Sequence, residues 1–319
     1  MRRAPLFFFG MLVNTAVLLD ACGSRTGLPV DDVPITTEDA SDGPHKHEAG
    51  FDSAPDVIDE DALPPIDANP NPDVNRNDCP DADATLVYVV SQTNELYSFY
   101  PPSLTFSLIG RIACPSSGSP YSMAVDRKGK AYVVFTPAGD LFQVSTATAA
   151  CIKTPFPPGQ SGFTTFGMGF VSNTGGPDET LYVAEGTAAG TGPSLGLASI
   201  DTTTYKLNFI GPFNPSQSRV EFTGTGDGRL FGYSPSDTGS HIIQVDKSNA
   251  NVIASDSVNA GATFDAFAFA YWGGDFWIFT GQPPVSSVYR YTPATRTTTL
   301  VTSAPTLIVG AGVSTCAPQ

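Results

Sequence analysis

Two acidic side chains, Glu221 and Asp265, have a type and a placement that suit acid–base chemistry. They lie in residues 84–319, where only 25 of 236 residues are charged. Two carboxyl groups with separated pKa values can hydrolyse a glycosidic bond, one as the acid and the other as base or nucleophile. Asp126 is a third candidate. It comes at the end of its predicted strand, whereas Glu221 and Asp265 come near the starts of theirs, so Asp126 should lie at the opposite end of the fold. The alternative, which we favour, is that all three accept hydrogen bonds from turns or face solvent.

Aromatic side chains form a second candidate site. One predicted hairpin contains both tryptophans of the chain, Trp272 and Trp277, together with Tyr271 and Phe276. An exposed indole beside a Gly-Gly turn can stack on a sugar ring or a peptide. Burial between sheets is the alternative and the commoner position of large aromatic residues. We name Trp272 and Tyr271 as candidate ligand contacts and expect Trp272 to be the more accessible.

The sequence contains fewer residues that suit other chemistries. His241 is the only histidine after residue 84, and its run lies away from the candidate carboxylates, so a serine hydrolase is not indicated. The glycine-rich run Gly167–Gly169 lacks the strand–loop–helix context that holds phosphate. Histidine, cysteine and carboxylate side chains are not clustered after residue 84, so we expect no metal site and no cofactor.

The chain from residue 85 alternates short β runs with turns and lacks helical periodicity. The runs form a four-strand repeat of about 45 residues, in which the third run of each repeat ends in a polar turn. The predicted second strands are Val87–Ser91, Ala131–Phe135, Leu181–Glu185, Leu230–Ser234 and Phe276–Thr280. The predicted first strands are Tyr121–Asp126, Phe163–Val171, Arg219–Thr225 and Phe264–Trp272.

The first repeat has no first strand of its own, and the last run of the chain, Leu307–Thr315, can supply it. A ring closed by its terminal strand is typical of β-propellers. We therefore predict an all-β propeller of five four-stranded blades, with six or seven blades as alternatives and a β-sandwich as the competing architecture. In such a ring Glu221 and Asp265 begin neighbouring inner strands and lie at one mouth of the central channel.

The net charge of −15 is concentrated before this ring. Residues 23–83 carry sixteen acidic and three basic side chains and nine prolines, whereas residues 84–319 carry fourteen acidic and eleven basic side chains. A proline-rich acidic segment buries too little apolar surface to fold, so we predict a disordered, extended stalk over 22–83 and a propeller domain over 84–319. No basic surface for nucleic acid is indicated.

The first 21 residues are predicted to be a signal peptide, because Arg2 and Arg3 precede an apolar run that is too short to span a bilayer. The run ends in Leu19-Asp20-Ala21-Cys22, which resembles the bacterial lipobox. That resemblance implies that Cys22 is lipidated and anchors the protein in the cell envelope, and Gly23 favours the outer membrane. Ordinary cleavage near Ala21, with Cys22 as a free thiol, is the alternative.

Four further cysteines permit three pairings in an oxidising compartment. Cys316 follows the closing strand, and Cys79 precedes the strand beside it, so a Cys79–Cys316 disulfide would replace the turn missing at the seam of the ring. This leaves Cys114 with Cys151. Cys114 follows an outer strand and Cys151 begins one, which would place them toward opposite faces. Either the strand boundaries differ by a few residues and the two cysteines pair, or both stay reduced.

The order of lipobox, Asp/Pro-rich stalk and propeller resembles a group of predicted bacterial lipoproteins without an assigned activity. Our leading hypothesis is a monomeric, lipid-anchored envelope protein whose propeller is a binding or scaffolding module for an unidentified protein or glycan. Five-bladed propellers also include glycoside hydrolases with carboxylates at the axis. The alternative function is therefore a glycan-active hydrolase or lyase that uses Glu221 and Asp265 at the channel mouth.

Overall fold

The computed structural model describes residues 63–69, 79, 85–173, 177–186, 192–236, 239–261 and 265–319. The predicted signal peptide (1–21) and most of the predicted stalk (22–83) lie outside the described residues, and so does Cys22. The described part contains twenty β-strands and two single-turn 3-10 helices, Pro101–Ser103 and Gln160–Gly162. The sequence prediction of an all-β chain is confirmed.

The strands form five four-stranded antiparallel sheets, here called blades and given from the inner to the outer strand. Blade 1 contains β20 (Ile308–Val313), β1 (Val87–Ser91), β2 (Glu95–Tyr100) and β3 (Thr105–Arg111). Blade 2 contains β4 (Ser119–Val125), β5 (Lys130–Thr136), β6 (Asp140–Ser145) and β7 (Cys151–Lys153). Blade 3 contains β8 (Phe166–Ser172), β9 (Glu179–Glu185), β10 (Leu197–Ile200) and β11 (Leu207–Gly211). Blade 4 contains β12 (Glu221–Gly224), β13 (Leu230–Ser236), β14 (Gly239–Val245) and β15 (Val252–Val258). Blade 5 contains β16 (Ala266–Trp272), β17 (Asp275–Gln282), β18 (Val285–Thr292) and β19 (Thr297–Ser303).

The terminal strand β20 closes the ring as the sequence predicted. It pairs antiparallel with β1, with Val313 opposite Val87 and Ile308 opposite Ser91. The inner strands of consecutive blades contact one another in the order β20, β4, β8, β12, β16 and back to β20. The chain is therefore a five-bladed β-propeller in which the first blade joins both ends of the domain.

Side chains that point alternately to the two faces of the inner strands form the core. In β16, Ala268 and Ala270 pack with blade 1, whereas Phe269 and Tyr271 pack with blade 4. Successive residues of a strand point to opposite faces, so one inner strand supplies apolar side chains to two interfaces between blades. Near the axis there is little room: a Cβ on Gly224 would overlap the carbonyl O of Phe170 in the neighbouring inner strand. Glycine at this position allows the inner strands to approach closely.

The predicted Cys79–Cys316 disulfide is confirmed, with 5.4 Å between the two Cα atoms. Cys316 follows β20, and Cys79 precedes β1, so the bond spans the seam where the other blades have a covalent turn. In the chain-entropy model a loop of this length contributes on the order of 4–5 kcal/mol to the free energy of unfolding. The seam is therefore closed twice, by strand pairing and by a covalent bond.

Cys114 and Cys151 also form a disulfide, with their Cα atoms 5.2 Å apart. The expectation that these two cysteines lie at opposite faces is wrong. Neighbouring strands rotate by about 20–25° each, so the fourth strand of a blade is turned by roughly 60–75° from the first. The end of β3 consequently points toward blade 2, where a Cβ on Gly110 would lie 3.2 Å from the Cβ of Ala149. The twist brings Cys114 to the start of β7.

Part of the predicted stalk lies against the propeller. Residues 63–69 contact blade 4: Leu63 packs against the core between blades 3 and 4, and Ile66, only 5% exposed, packs into the core between blades 4 and 5. The N–H of Ser255 in β15 donates to the carbonyl O of Pro64 at 3.0 Å. This short segment therefore covers the outer edge of blade 4.

Candidate functional site

One mouth of the propeller contains a cavity of about 240 Å³. We call it the mouth cavity. Its ionisable lining residues are Tyr121, Arg219, Glu221 and Asp265, and the neutral polar residues Gln92, Ser119 and Thr136 also line it. Arg219 and Glu221 lie at the start of β12, and Asp265 lies directly before β16, the inner strand of the next blade. Because both inner strands begin at the same end of the ring, the structure brings the two carboxyl groups to one cavity.

Glu221 is buried, with 4% of its surface exposed. The hydroxyl of Ser122 donates to its Oε2 at 2.6 Å, and the backbone N–H of Met168 also donates to the carboxyl group. Burial nevertheless dominates and raises the pKa of Glu221 well above its ordinary value. Burial therefore favours the protonated form of this carboxyl group over its ionised form.

Arg219 is the cation of the mouth cavity. Its Cζ lies 5.2 Å from the ring centroid of Phe267, within cation–π range. Its Nε is buried and has no hydrogen-bond partner among the described residues. The ion pairs in the described part of the chain join other side chains. A guanidinium group that is partly removed from water without a counter-charge is unfavourable, so Arg219 is suited to bind an anion.

Tyr121 and Asp265 complete the polar lining. Burial, reinforced by the negative charge of Glu221 and opposed by Arg219, raises the pKa of Tyr121 to about 12, so its hydroxyl remains protonated. Asp265 is exposed, and its backbone N–H donates to the carbonyl O of Gly281 at 3.0 Å, which fixes the residue at the edge of blade 5. The cavity thus combines a buried carboxyl group, a guanidinium group, a phenol and an exposed carboxyl group.

Asp126 lies apart from the mouth cavity, in the turn after β4. Its Oδ1 accepts the backbone N–H groups of Lys128 and Lys130 at 2.9 and 2.8 Å. The interpretation of this carboxylate as a turn-stabilising group is therefore correct. Asp126 does not join Glu221 and Asp265, so the described part of the chain does not assemble the three predicted carboxylates at one site.

The aromatic candidates occupy different environments. Trp272 is half-buried and lines a groove of about 370 Å³ with Pro101, Trp277 and Arg290. Its Nε1 donates to the carbonyl O of Thr85 at 2.6 Å, which fixes the indole. Tyr271 is only 4% exposed and packs in the core between blades 4 and 5. A surface role is therefore retained for Trp272, whereas Tyr271 is positioned to stabilise the interface between blades.

The segment Gly192–Gly196 reads Gly-Pro-Ser-Leu-Gly and so matches the Gly-x-Ser-x-Gly pattern of hydrolase nucleophiles. The structure gives it another role. The hydroxyl of Ser194 donates to the carbonyl O of Glu185 at 2.7 Å and accepts the N–H of Gly196 at 3.1 Å. The segment leads into strand β10 rather than a helix. His241 lies in β14, where its Nδ1 is 3.5 Å from the hydroxyl of Ser255, so it does not activate Ser194.

Sequence reasoning missed Glu179, at the start of β9. Its Oε1 accepts the backbone N–H of Arg127 at 2.7 Å, and its Oε2 accepts the hydroxyl of Thr315 at 3.1 Å. Burial outweighs these bonds and raises the pKa of Glu179 to about 7. It lies beside a polar cavity of about 770 Å³ between blades 2 and 3. Only burial distinguishes it from other acidic residues in strands, and no sequence pattern signals that burial.

Among the described residues, no group of three or more histidine, cysteine or acidic side chains is arranged to hold a metal ion. The same residues include no helix long and apolar enough to cross a bilayer. The two disulfides indicate an extracytoplasmic protein, because such bonds persist in oxidising compartments.

No protein-family model and no curated protein matches this chain. Several solved structures resemble its fold. TolB from Acinetobacter baumannii is 13% identical with a TM-score of 0.43, over 70% of this chain and 54% of TolB, so this chain spans about half the length of that protein. A chain of a nidogen/laminin complex is 11% identical with a TM-score of 0.48, over 72% of this chain and 98% of the other. A catalytically inactive virginiamycin B lyase from Staphylococcus aureus with quinupristin is 12% identical with a TM-score of 0.40, over 70% and 71%. At these identities the likeness concerns the fold alone.

Proposed function

We propose that this protein is a binding module of the bacterial cell envelope and that its ligand occupies the mouth cavity. The observation that carries the proposal is Arg219, whose partly buried guanidinium lines the cavity, has a buried Nε without a hydrogen-bond partner and forms no ion pair among the described residues. The surrounding scaffold is rigid, because the ring is closed by β20 and by the Cys79–Cys316 disulfide. A pre-formed cavity with apolar walls and a few convergent polar groups is the usual form of a small-ligand site.

Filling the cavity tests this proposal. Ala266 lines the mouth cavity, and Ala147 is an exposed residue in the β6–β7 turn. In a thermal-shift screen against peptides, glycans and metabolites, the wild type and Ala147→Trp should share at least one stabilising ligand, and Ala266→Trp should lose that stabilisation. Both variants must first unfold cooperatively. A ligand that stabilises all three proteins equally would place binding elsewhere and refute the proposal.

Lipid anchoring at Cys22 and an outer-membrane location are part of the proposed function. The lipobox resemblance and the two disulfides support them, and the membrane would then be a partner through the lipid alone. Mass spectrometry of the membrane-associated protein should find a chain that begins at Cys22 and carries acyl groups. A soluble mature chain with an unmodified Cys22 would contradict the anchor, and Cys22→Ser is the control.

A glycan-active hydrolase or lyase is the second candidate function. It is favoured by a buried Glu221, whose raised pKa favours the protonated form, and an exposed Asp265 in one cavity, because glycoside hydrolysis needs a protonated acid beside an ionised carboxylate. A screen for polysaccharide cleavage tests it. Turnover that Glu221→Gln and Asp265→Asn each abolish would establish the enzyme and replace the binding-only proposal. Absence of turnover across envelope polysaccharides would reject it.

A further inference from the structure

We propose that the mouth cavity binds a small zwitterion, an α-amino acid with an apolar side chain, with its carboxylate on Arg219 and its ammonium group against Asp265. This inference rests on the proposed function, since it names the ligand class of the same cavity. It depends on two opposite charges that line one cavity without forming an ion pair with each other.

The carboxylate of the proposed ligand follows from the environment of Arg219. The guanidinium is held over Phe267, and its buried Nε has no acceptor among the described residues. Glu221, the buried acid of the cavity, accepts hydrogen bonds from Ser122 and Met168 and forms no ion pair with the arginine. A ligand carboxylate would supply the missing counter-charge with the geometry that arginine prefers.

The ammonium end follows from Asp265. This carboxylate lines the same cavity but is exposed, at the start of the neighbouring blade. A ligand with a carboxylate alone would gain Arg219 but bring its charge close to Asp265. A ligand with adjacent positive and negative groups satisfies both residues and keeps the cavity neutral. The hydroxyl of Tyr121, which remains protonated, can bond either end.

The apolar side chain of the proposed ligand follows from the apolar residues that line the cavity. Pro120, Phe267, Leu307 and Val309 line the cavity. Its volume of about 240 Å³ corresponds to roughly eight water molecules at about 30 Å³ each. That space suits a compact side chain such as that of leucine or phenylalanine. The apolar walls favour such a side chain over a polar one.

Isothermal titration calorimetry of the purified full chain at pH 7 tests the inference with three probes. L-Phenylalanine carries both charges, 3-phenylpropionate carries only the carboxylate, and L-phenylalaninamide carries only the ammonium group. We expect L-phenylalanine to bind most tightly. Arg219→Gln should weaken its binding at least about 30-fold, as for loss of one partner of a buried charge pair, and should not weaken binding of the amide. Asp265→Asn should weaken binding of L-phenylalanine by about 2–5-fold, as for loss of an exposed ion pair, and should improve binding of 3-phenylpropionate.

The control is Arg111→Gln, which removes an exposed arginine at the end of β3, away from the cavity, and should leave all three affinities unchanged. Equal binding of L-phenylalanine and its amide, or an Arg219→Gln variant with wild-type affinity, would overturn the inference. If none of the probes binds but another ligand is lost in Ala266→Trp, the zwitterion is wrong and the proposed function stands. If that screen also finds no ligand, both fail.

Discussion

Glu179 should make the propeller less stable as the pH rises toward neutrality. Its carboxyl group is buried between blades, and its pKa rises from 4.5 to about 7. Between these two values the folded protein keeps a proton that the unfolded chain has released. The free energy of unfolding therefore falls as the pH increases, by at most about 1.4 kcal/mol per pH unit. From pH 4.5 to pH 8 the loss approaches about 3 kcal/mol, and above about pH 8 it levels off.

The variant Glu179→Gln removes this titration and keeps the local contacts. The amide oxygen can accept the N–H of Arg127, and the amide nitrogen can donate to the hydroxyl of Thr315. We expect the variant and the wild type to be equally stable near pH 4.5. At pH 8 the variant should be more stable by up to about 3 kcal/mol. Urea unfolding at five pH values between 4.5 and 8, followed by tryptophan fluorescence, measures the difference.

Asp201→Asn is the matched control. Backbone N–H groups of Thr203 and Thr204 lower the pKa of this exposed carboxylate, so it titrates below the tested interval. Its substitution should leave the shape of the stability curve unchanged above pH 5. Glu221 contributes a slope of the same sign in every protein, so only the difference between curves is informative. Parallel curves for the wild type and Glu179→Gln would refute the reasoning.

Three further substitutions probe the ring itself. Cys316→Ser should lower the free energy of unfolding by about 4–5 kcal/mol in non-reducing denaturant titrations, and an unchanged midpoint would show that strand pairing alone closes the seam. Ile66→Ala should cost about 2–3 kcal/mol and should accelerate proteolysis near residues 63–69, whereas equal cleavage rates would contradict docking on blade 4. Gly224→Ala places a methyl group against the carbonyl O of Phe170 and should cost at least about 1–3 kcal/mol in thermal unfolding; a neutral result would mean that β8 and β12 can separate freely.

The sequence was most informative where local pattern and topology agree. The five repeats predicted the blades within a few residues, and the missing first strand predicted both the closure by β20 and the Cys79–Cys316 bond. The same logic placed Glu221 and Asp265 at the starts of neighbouring inner strands. These inferences require only the order of strands, because antiparallel hairpins alternate direction in a fixed way.

The remaining features depend on packing, which strand order does not contain. The twist across blade 1 brings Cys114 to Cys151, and the order and direction of the strands do not contain this twist. Leu63 and Ile66 are two aliphatic residues in an acidic, proline-rich segment, so composition concealed their position in the core. The raised pKa of Glu179 follows from its burial among residues distant in sequence, and it persists although the hydrogen bond from Thr315 lowers it.

The Cys79–Cys316 bond also determines how mechanical load would enter the domain. A pull from the N-terminal side first meets residues 63–69, which are docked on blade 4; once they are released, it reaches Cys79 ahead of β1, which begins at Val87. From Cys79 the tension divides, one part following the backbone to β1 and the other crossing the disulfide to Cys316 and the end of β20. The paired strands β1 and β20 share the force, so the force does not separate one of them from the other. A domain that engages a fixed ligand while its N-terminal side is held would thus carry strain on its doubly closed seam.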